Sequence, residues 1–285
     1  MIVVTGATGH IGRRLVDQLL AEGASVRALT RDPERAGLPA AAEVVRADLT
    51  DPASVEPALE GAESLYLNLA AGGGEAAIQL VDAAVKAGVR RIVLNSSLSV
   101  TDTPADDEGF ISRMHASVER AIRASGLEWT FVRGGMYATN SLQWVPLVKA
   151  EGVVRGPFPE AVAAPVHEAD LAAVTARALL DRSGALLGCA PYVTGPEPVT
   201  QAGQAAAIGR AIGREVRFET IPVERAAEAM AAGTGIPEGA ARQLLEYFGA
   251  SVGTTPRMTD EVERITGRPA RTFDEWARDH ADDFR

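Results

Sequence analysis

The fold is decided at residues 1–12, which read Met1-Ile2-Val3-Val4-Thr5-Gly6-Ala7-Thr8-Gly9-His10-Ile11-Gly12. An apolar run typical of a buried strand comes first, and glycines then interrupt it. The apolar residues that follow recur at helical spacing, and they are Ile11, Leu15, Val16, Leu19 and Leu20. This order predicts a strand, a tight turn and an amphipathic helix, with an ion pair between Arg13 and Asp17 on the polar face of the helix.

The spacing of the glycines gives the turn a chemical meaning. Backbone N–H groups at a helix N-terminus can hold a pyrophosphate only where no Cβ atom blocks its approach. We expect Gly6 to permit the turn, Gly9 to bring the backbone close to the anion, and Gly12 to let the helix pack against the strand. The pattern Gly-x-x-Gly-x-x-Gly therefore predicts a dinucleotide-binding turn. The other residues of the turn that we predict to contact the cofactor are Thr8, His10 and Ile11.

The composition limits the class of protein. A chain of 285 residues with 46% hydrophobic and 23% charged residues suffices for one large or two modest globular domains. Its formal net charge of -10 argues against nucleic-acid binding, which needs clustered Lys and Arg. The single Cys189 excludes an internal disulfide framework and a cysteine-based zinc site, and we predict no metal site. No basic leader precedes the first strand and no apolar run approaches the ~18 residues of a membrane span, so we expect a cytoplasmic protein outside the membrane.

Strand and helix patterns alternate through the first half of the chain. Further strands are predicted at residues 24–31, 43–47, 64–70, 90–97 and 127–132, and a seventh at residues 191–194. This alternation indicates an α/β protein with a doubly wound parallel sheet, the Rossmann architecture. Signals beyond residue 198 are less regular and indicate a smaller, mostly helical C-terminal lobe. We predict a dinucleotide-binding domain at residues 1–155, joined by returning segments near 165–197, and a substrate-binding lobe at residues 198–285.

Ligands of such sheets bind at the carboxyl ends of the strands. The polar strand ends that share this predicted edge are Gly6, Arg31, Asp48, residues 68–70, Ser96 and Ser97. At the tip of the second strand, an acidic residue selects NAD and a basic one accommodates the 2′-phosphate of NADP. Arg31 stands at that tip with Arg35 close behind, and a planar guanidinium suits a phosphate. We therefore predict NADP(H) as the cofactor, whereas Asp32 would favour NAD if the turn directs its carboxylate inward.

Several longer stretches carry a family resemblance. They are residues 5–12, 30–33, 47–51, the motif His115-x-x-x-Glu119, and residues 125–133, 165–172 and 267–273. In these stretches the sequence resembles the NmrA-like branch of the atypical short-chain dehydrogenases/reductases. The resemblance implies NADP(H) on the large domain and a substrate cleft between that domain and the C-terminal lobe.

The resemblance also assigns roles to individual positions. It implies that Asp48 and Leu49 border the adenine and that Ser96 lies near the nicotinamide. Under the ribose it places Asn68, Leu69 and Ala70.

One departure from the pattern of short-chain reductases bears on mechanism. These enzymes commonly use a Tyr-x-x-x-Lys pair, in which the lysine lowers the tyrosine pKa so that the tyrosine can donate a proton. In the helix that starts near Phe110, no tyrosine stands four residues before a lysine. The usual proton relay for carbonyl reduction is therefore missing. His115 lies on this helix and is our candidate catalytic residue because the pKa of histidine is near neutrality, with a purely structural histidine as the alternative.

Two functions remain compatible with this departure. The first is an NADPH-dependent oxidoreductase whose acceptor is a quinone or another planar, conjugated small molecule, since hydride transfer then leaves a stabilised anion that water can protonate. Such a reductase would be similar to the NmrA-like quinone and dye reductases. The apolar residues that we predict to contact the substrate, each with core packing as the alternative, are Met136, Tyr137, Trp144 and Phe158.

The second function is a non-catalytic redox sensor, which some NmrA-like proteins resemble. Such a sensor binds NADP(H) and acts through a protein partner. An epimerase or dehydratase of the extended short-chain group is a weaker alternative because it needs the same missing tyrosine. The sequence does not fix the oligomeric state, and a homodimer is left open.

Overall fold

A computed structural model describes residues 1–69, 73–101, 103, 109–234 and 237–285. The chain separates into two compact units. Unit 1 consists of Met1–Gly135, Glu168–Val193 and Glu261–Arg268. Unit 2 consists of Met136–His167, Thr194–Asp260 and Pro269–Arg285.

The elements of the described chain follow the predicted alternation of strands and helices. In chain order, the strands are β1 (Ile2–Val4), β2 (Val26–Thr30), β3 (Glu43–Arg46), β4 (Ser64–Asn68), β5 (Arg91–Ser97), β6 (Glu128–Gly134), β7 (Val153–Gly156), β8 (Val162–Ala163), β9 (Tyr192–Val193), β10 (Val199–Thr200) and β11 (Arg217–Thr220). The α-helices are α1 (His10–Ala21), α2 (Pro52–Val55), α3 (Gly73–Lys86), α4 (Phe110–Ala124), α5 (Val145–Glu151), α6 (Glu168–Leu180), α7 (Gln201–Ile212), α8 (Val223–Thr234), α9 (Glu238–Gly249), α10 (Glu261–Thr266), α11 (Phe273–Asp279) and α12 (Ala281–Phe284). Short 3₁₀ turns occupy Pro33–Arg35, Glu56–Leu59 and Ala138–Trp144.

Unit 1 is built on a seven-stranded sheet in the order β3-β2-β1-β4-β5-β6-β9. Every neighbouring pair is parallel, so the carboxyl ends of all the strands lie along one edge. The chain starts in the middle of the sheet, where β1 pairs with β2 on one side and β4 on the other. The predicted α/β fold class, a doubly wound parallel sheet of Rossmann type, is confirmed.

Helices bury the sheet on both faces. Leu65, Tyr66 and Leu67 are consecutive residues of β4, and each is 0% exposed. Because side chains along a strand point alternately to opposite faces, burial of all three requires cover on both sides. Helix α1 packs against α6, and α3 packs against α4. The alternation of apolar runs with amphipathic helices in the sequence is thus explained by the packing.

Unit 2 is mostly helical and has two small sheets. Strand β7 runs parallel to β11, and β8 runs antiparallel to β10. Trp276 is 0% exposed and centres one hydrophobic cluster, together with Val154 of β7 and Ile208 of α7. A second cluster joins α8 and α9 through Ala227 and Leu245. In the described parts of both units, no helix is long and apolar enough to cross a membrane.

The boundaries of these units differ from the boundaries that the sequence predicted. The first segment of unit 1 ends at Gly135 rather than at residue 155. Unit 1 also includes Glu168–Val193 and Glu261–Arg268. The difference arises because β7 lies within the predicted first domain but pairs with β11, about 60 residues further on. Segment 136–167 therefore belongs to unit 2.

The turn between β1 and α1 leaves no space for a side chain at Gly12. A Cβ atom at this position would overlap the carbonyl oxygen of Gly6 and lie 2.8 Å from the Cα atom of Ala7. Gly6 itself has a φ of 60°, a conformation that other residues rarely adopt. The helix therefore starts in direct contact with the backbone of the turn, as predicted from the glycine spacing.

We predict that Gly12→Ala lowers the free energy of unfolding by about 3 kcal/mol or more, because the backbone must move to admit the methyl group. Gly9→Ala is the matched control, since a Cβ atom at Gly9 meets only the Gly6 carbonyl oxygen, at 3.3 Å. The control should lose about 1 kcal/mol or less. Urea denaturation of both variants checks this, and equal losses would contradict the packing described for Gly12.

Candidate functional site

The candidate site begins at the N-terminus of α1. Gly9 is the N-cap residue, with extended backbone angles, and no side chain of the described residues caps this end of the helix. Its own N–H donates to the carbonyl oxygen of Gly6 at 3.0 Å, which closes the turn. The first N–H groups of a helix lack intrahelical acceptors, and the helix dipole adds partial positive charge there. The end of α1 therefore has the chemistry of an anion site.

Thr5 fixes the turn to the neighbouring strand. Its hydroxyl donates to the carbonyl oxygen of Tyr66 at 3.0 Å and accepts from the backbone N–H of Asn68 at 2.9 Å. The side chain of Asn68 lies against the turn, since a Cβ atom at Gly6 would be 3.3 Å from its Nδ2 atom. Sequence analysis placed Thr5 in the motif but gave it no role. The sequence signal for this role is a threonine placed directly after the apolar run Ile2–Val4.

The predicted edge is formed where β2 and β3 end. Arg31 and Arg35 are exposed, and neither guanidinium donates a hydrogen bond to any described residue. Arg46 donates through Nη1 to the carbonyl oxygen of Arg31 at 2.7 Å, which holds the backbone at the tip of β2. Asp32 is also exposed. Two exposed guanidiniums are thus available beside β2, as the choice of NADP(H) requires.

Asp48 organises the next strand end. Its Oδ1 atom accepts from the backbone N–H of Thr50 at 2.9 Å and from the Thr50 hydroxyl at 2.7 Å. These two hydrogen bonds lower the pKa of Asp48, and the positive charge of Arg31 lowers it further. The carboxylate is therefore ionised at neutral pH, and its Oδ1 atom is hydrogen-bonded to Thr50 within the same turn.

The other predicted cofactor contacts differ in what they can offer. The side chains of Ile11 and Leu69 are buried in the core, at 7% and 5% exposure, so only their main chains can face a ligand. Leu49 is partly buried against the same core cluster as Leu69. Thr8, Gly9 and His10 form the accessible part of the turn. Ala70 lies outside the described residues.

Arg13 does not form the ion pair with Asp17 that the helical spacing predicted. Its Nε atom donates to the carbonyl oxygen of Thr8 at 3.0 Å, and its Nη1 atom donates to the carbonyl oxygen of Gly37 at 2.9 Å. Backbone carbonyl groups from the turn and from a distant loop replace the carboxylate four residues along. The prediction was wrong because a local spacing rule does not register a loop 24 residues away.

Ser96 is part of a buried ionic network. Its hydroxyl donates to Oε1 of Glu119 at 2.6 Å. Arg133 binds both carboxylate oxygens of Glu119, with Nε at 3.0 Å from Oε1 and Nη2 at 2.7 Å from Oε2. Arg133 also donates to the hydroxyl of Tyr192 at 2.8 Å. The side chains of Glu119 and Arg133 are 0% and 1% exposed, so this network fixes α4 to the ends of β5 and β6.

His115 lies one helical turn before Glu119. Its Nδ1 atom is buried and has no hydrogen-bond partner among the described residues. Burial lowers the pKa of His115 to about 4, and the negative charge of Glu119 offsets only part of this effect. The imidazole is therefore neutral at pH 7, whereas a histidine poised near neutrality was expected.

The four predicted substrate contacts lie in unit 2 but not in one cluster. Tyr137 pairs with Val166 in a short parallel bridge, in which the Val166 N–H donates to the Met136 carbonyl oxygen at 2.8 Å. Trp144 packs against the cluster around Trp276. Phe158 belongs to the α8/α9 cluster, and its ring covers Gly249, where a Cβ atom would be 2.7 Å from it. Trp144 and Phe158 thus contribute to separate hydrophobic cores.

The depressed pKa of His115 predicts a specific loss of stability in acid. In the unfolded chain His115 takes up a proton near pH 6.5, whereas in the folded chain it does so only near pH 4. The free energy of unfolding therefore falls as the pH decreases through this window. Between pH 7.5 and 5 this single group should cost about 2 kcal/mol. His115→Gln should remove that part of the loss, as measured by urea denaturation at both pH values. An identical loss in the variant and the wild type would show that His115 is not desolvated.

Comparison with known proteins agrees with this geometry. The NmrA-like family model matches residues 1–276. A (4-alkanoyl-5-oxo-2,5-dihydrofuran-3-yl)methyl phosphate reductase of Streptomyces griseus is 37% identical over 286 residues, which span 100% of this chain and 99% of that protein. An NAD(P)H azoreductase of Xenophilus azovorans is 33% identical over 100% of this chain and 99% of its own length.

A solved structure shows the same likeness. An NADPH-dependent quinone oxidoreductase from Escherichia coli, in complex with NADPH, has a TM-score of 0.79 and 26% identity, with 97% of this chain and 98% of that chain covered. Together with the glycine turn and the parallel sheet, the match over residues 1–276 identifies the chain as a member of the NmrA-like family.

Proposed function

We propose that this protein is an NADPH-dependent reductase of quinone-like or other conjugated, electron-poor small molecules. The observation that carries the proposal is the pairing of two features at one sheet edge. One is the N-terminus of α1, which no described side chain caps. The other is the pair of exposed guanidiniums of Arg31 and Arg35 beyond β2. An anionic dinucleotide with an added phosphate matches both.

The residues of the turn fit the cofactor. Amide groups at the start of α1 would hold the pyrophosphate, because Gly9 presents no Cβ atom and is exposed. Arg31 would bind the 2′-phosphate, with Arg35 beside it, and Asn68 would lie under the ribose. When bound, NADPH supplies a hydride to the acceptor. The protein's part would be to hold the cofactor and the acceptor in the geometry of hydride transfer.

The acceptor class follows from the relatives together with the side chains of α4. The names of three relatives specify a dihydrofuranone, an azo compound and a quinone, each of which contains a conjugated, electron-poor π system. Reduction of such a system leaves a delocalised anion that needs no strong acid. The chain has no Tyr-x-x-x-Lys pair on α4 to provide one. We therefore assign the proton to solvent.

His115 and the unit 2 residues have smaller parts in this proposal. A neutral imidazole at pH 7 is not an imidazolium donor, so the low pKa of His115 speaks against its role as the catalytic acid. Met136 and Tyr137 are half-buried and stay our candidates for the apolar wall beside the substrate. Trp144 and Phe158 pack in two separate hydrophobic cores, which is the alternative that their apolar character left open.

Turnover with a panel of acceptors tests the proposal. NADPH oxidation should be followed by absorbance with a naphthoquinone, an azo dye and an acyl-substituted dihydrofuranone, and each reduced product quantified. We expect consumption of NADPH equal to product formed with at least one acceptor. Gly9→Val is the control for non-enzymatic reduction, because its side chain occupies the space of the pyrophosphate. Tight NADPH binding without turnover on any acceptor would instead support the redox sensor, and absence of binding would contradict both functions.

Arg31→Ala should weaken NADPH about tenfold to a hundredfold, because a charge-assisted contact to the 2′-phosphate is lost. NADH binding should change less than about threefold, since NADH has no such phosphate. Titration of both dinucleotides by calorimetry measures this difference. Equal losses for NADPH and NADH would remove Arg31 from the phosphate site.

A further inference from the structure

Arg13 connects two backbone segments that are distant in sequence. Its guanidinium donates to the carbonyl oxygen of Thr8 in the glycine turn and to the carbonyl oxygen of Gly37 in the loop after β2. Two different nitrogen atoms of the planar guanidinium, Nε and Nη1, donate to the two acceptors. Arg13 is half-buried between them. The guanidinium thus acts as a cross-link between the turn and the loop.

The loop that accepts a hydrogen bond from Arg13 follows directly on the exposed Arg31 and contains the exposed Arg35. Pro33–Arg35 forms a 3₁₀ turn, and the N–H of Ala36 closes it by donating to the Pro33 carbonyl oxygen at 3.2 Å. Gly37 follows at once with a φ of 56°, and its carbonyl oxygen accepts from Nη1 of Arg13 at 2.9 Å. Fixing Gly37 therefore restrains the position of Arg35 two residues earlier.

This cross-link has a direct consequence for a ligand that spans both segments. A dinucleotide would contact the glycine turn with its pyrophosphate and the loop after β2 with its 2′-phosphate. If the two segments moved independently, only a fraction of molecules would present both in the binding geometry. The apparent association constant would then be the intrinsic one multiplied by that fraction. A rigid link between the segments removes this cost before the ligand arrives.

We infer that Arg13 is a positioning residue that sets the preference for NADPH over NADH without contacting the cofactor. The inference rests on the proposed function, because it assumes a dinucleotide at the turn. Both hydrogen bonds of Arg13 end on backbone carbonyl groups, so its guanidinium is not exposed for a phosphate in the way proposed for Arg31. Its effect on affinity is exerted through the loop.

Arg14 provides a matched control. It is the next residue of α1, carries the same charge and is exposed. Its guanidinium donates to no described residue. Replacing Arg13 or Arg14 by methionine removes one positive charge from the first turn and a half of α1, whereas only Arg13→Met removes the cross-link. A long-range electrostatic effect on an anionic ligand would therefore appear in both variants and would not distinguish NADPH from NADH by the loop.

The experiment is calorimetric titration of wild type, Arg13→Met and Arg14→Met with NADPH and with NADH. We expect Arg13→Met to weaken NADPH about tenfold and NADH about threefold or less, because the Gly37 link matters only for the 2′-phosphate. Arg14→Met should stay within about twofold of the wild type for both. Arg13→Lys should lie between wild type and Arg13→Met, since one ammonium group cannot reproduce a planar fork. It also tests the role if Arg13→Met fails to fold.

Hydrogen exchange in the ligand-free protein tests the cross-link itself. Amide groups of residues 35–38 and of Ala40 should exchange faster in Arg13→Met than in Arg14→Met. Unchanged exchange, equal effects of the two methionine variants, or equal losses for NADPH and NADH would each overturn the inference while leaving the proposed function in place. If the wild type binds neither dinucleotide, the proposed function fails and the role of Arg13 fails with it.

Discussion

The close approach between α1 and the turn before it is the constraint on which the site depends. Gly12 packs so tightly against the carbonyl group of Gly6 that no side chain fits between the helix and the turn. Because β2 and β4 pair with β1 on its two sides, Arg31 and Asn68 arrive at the same edge. The helix N-terminus contributes partial positive charge there without any charged side chain. The binding chemistry is therefore provided mostly by backbone.

Charged groups in unit 1 fall into two kinds with different consequences. At the tip of β2 the guanidiniums of Arg31 and Arg35 are exposed and unpaired among the described residues, so a ligand can use them at little desolvation cost. At the ends of β5 and β6 the charges of Glu119 and Arg133 are buried and compensate each other. Removing one partner of such a pair is strongly destabilising. The first kind can select a ligand, whereas the second kind holds α4 in place beside the sheet.

Much of the sheet could be predicted from the sequence because its signals are local. Short apolar runs separated by amphipathic segments sufficed to locate the strands along the chain, and the glycine spacing sufficed for the structural roles of Gly6 and Gly12. The extent of unit 2 could not be predicted, since strands of two residues such as β8 leave no periodic signal and β7 depends on a partner about 60 residues away. The Gly37 acceptor of Arg13 and the burial of His115 could not be predicted either, because both depend on residues that are distant in the sequence. An apolar residue predicted to contact substrate has the same sequence pattern as a core residue, and Trp144 and Phe158, predicted as substrate contacts, pack against hydrophobic cores.

The most direct measurement of the central claim is an amide NMR titration of the protein with NADP⁺. The account predicts that the backbone amide resonances of residues 10–12 undergo the largest and saturable shifts, because their N–H groups receive the pyrophosphate. The amide resonances of residues 31–37 other than Pro33 should follow the same binding curve. Saturable shifts confined to other parts of the chain, or no shifts at any concentration, would contradict the claim that this turn binds a dinucleotide.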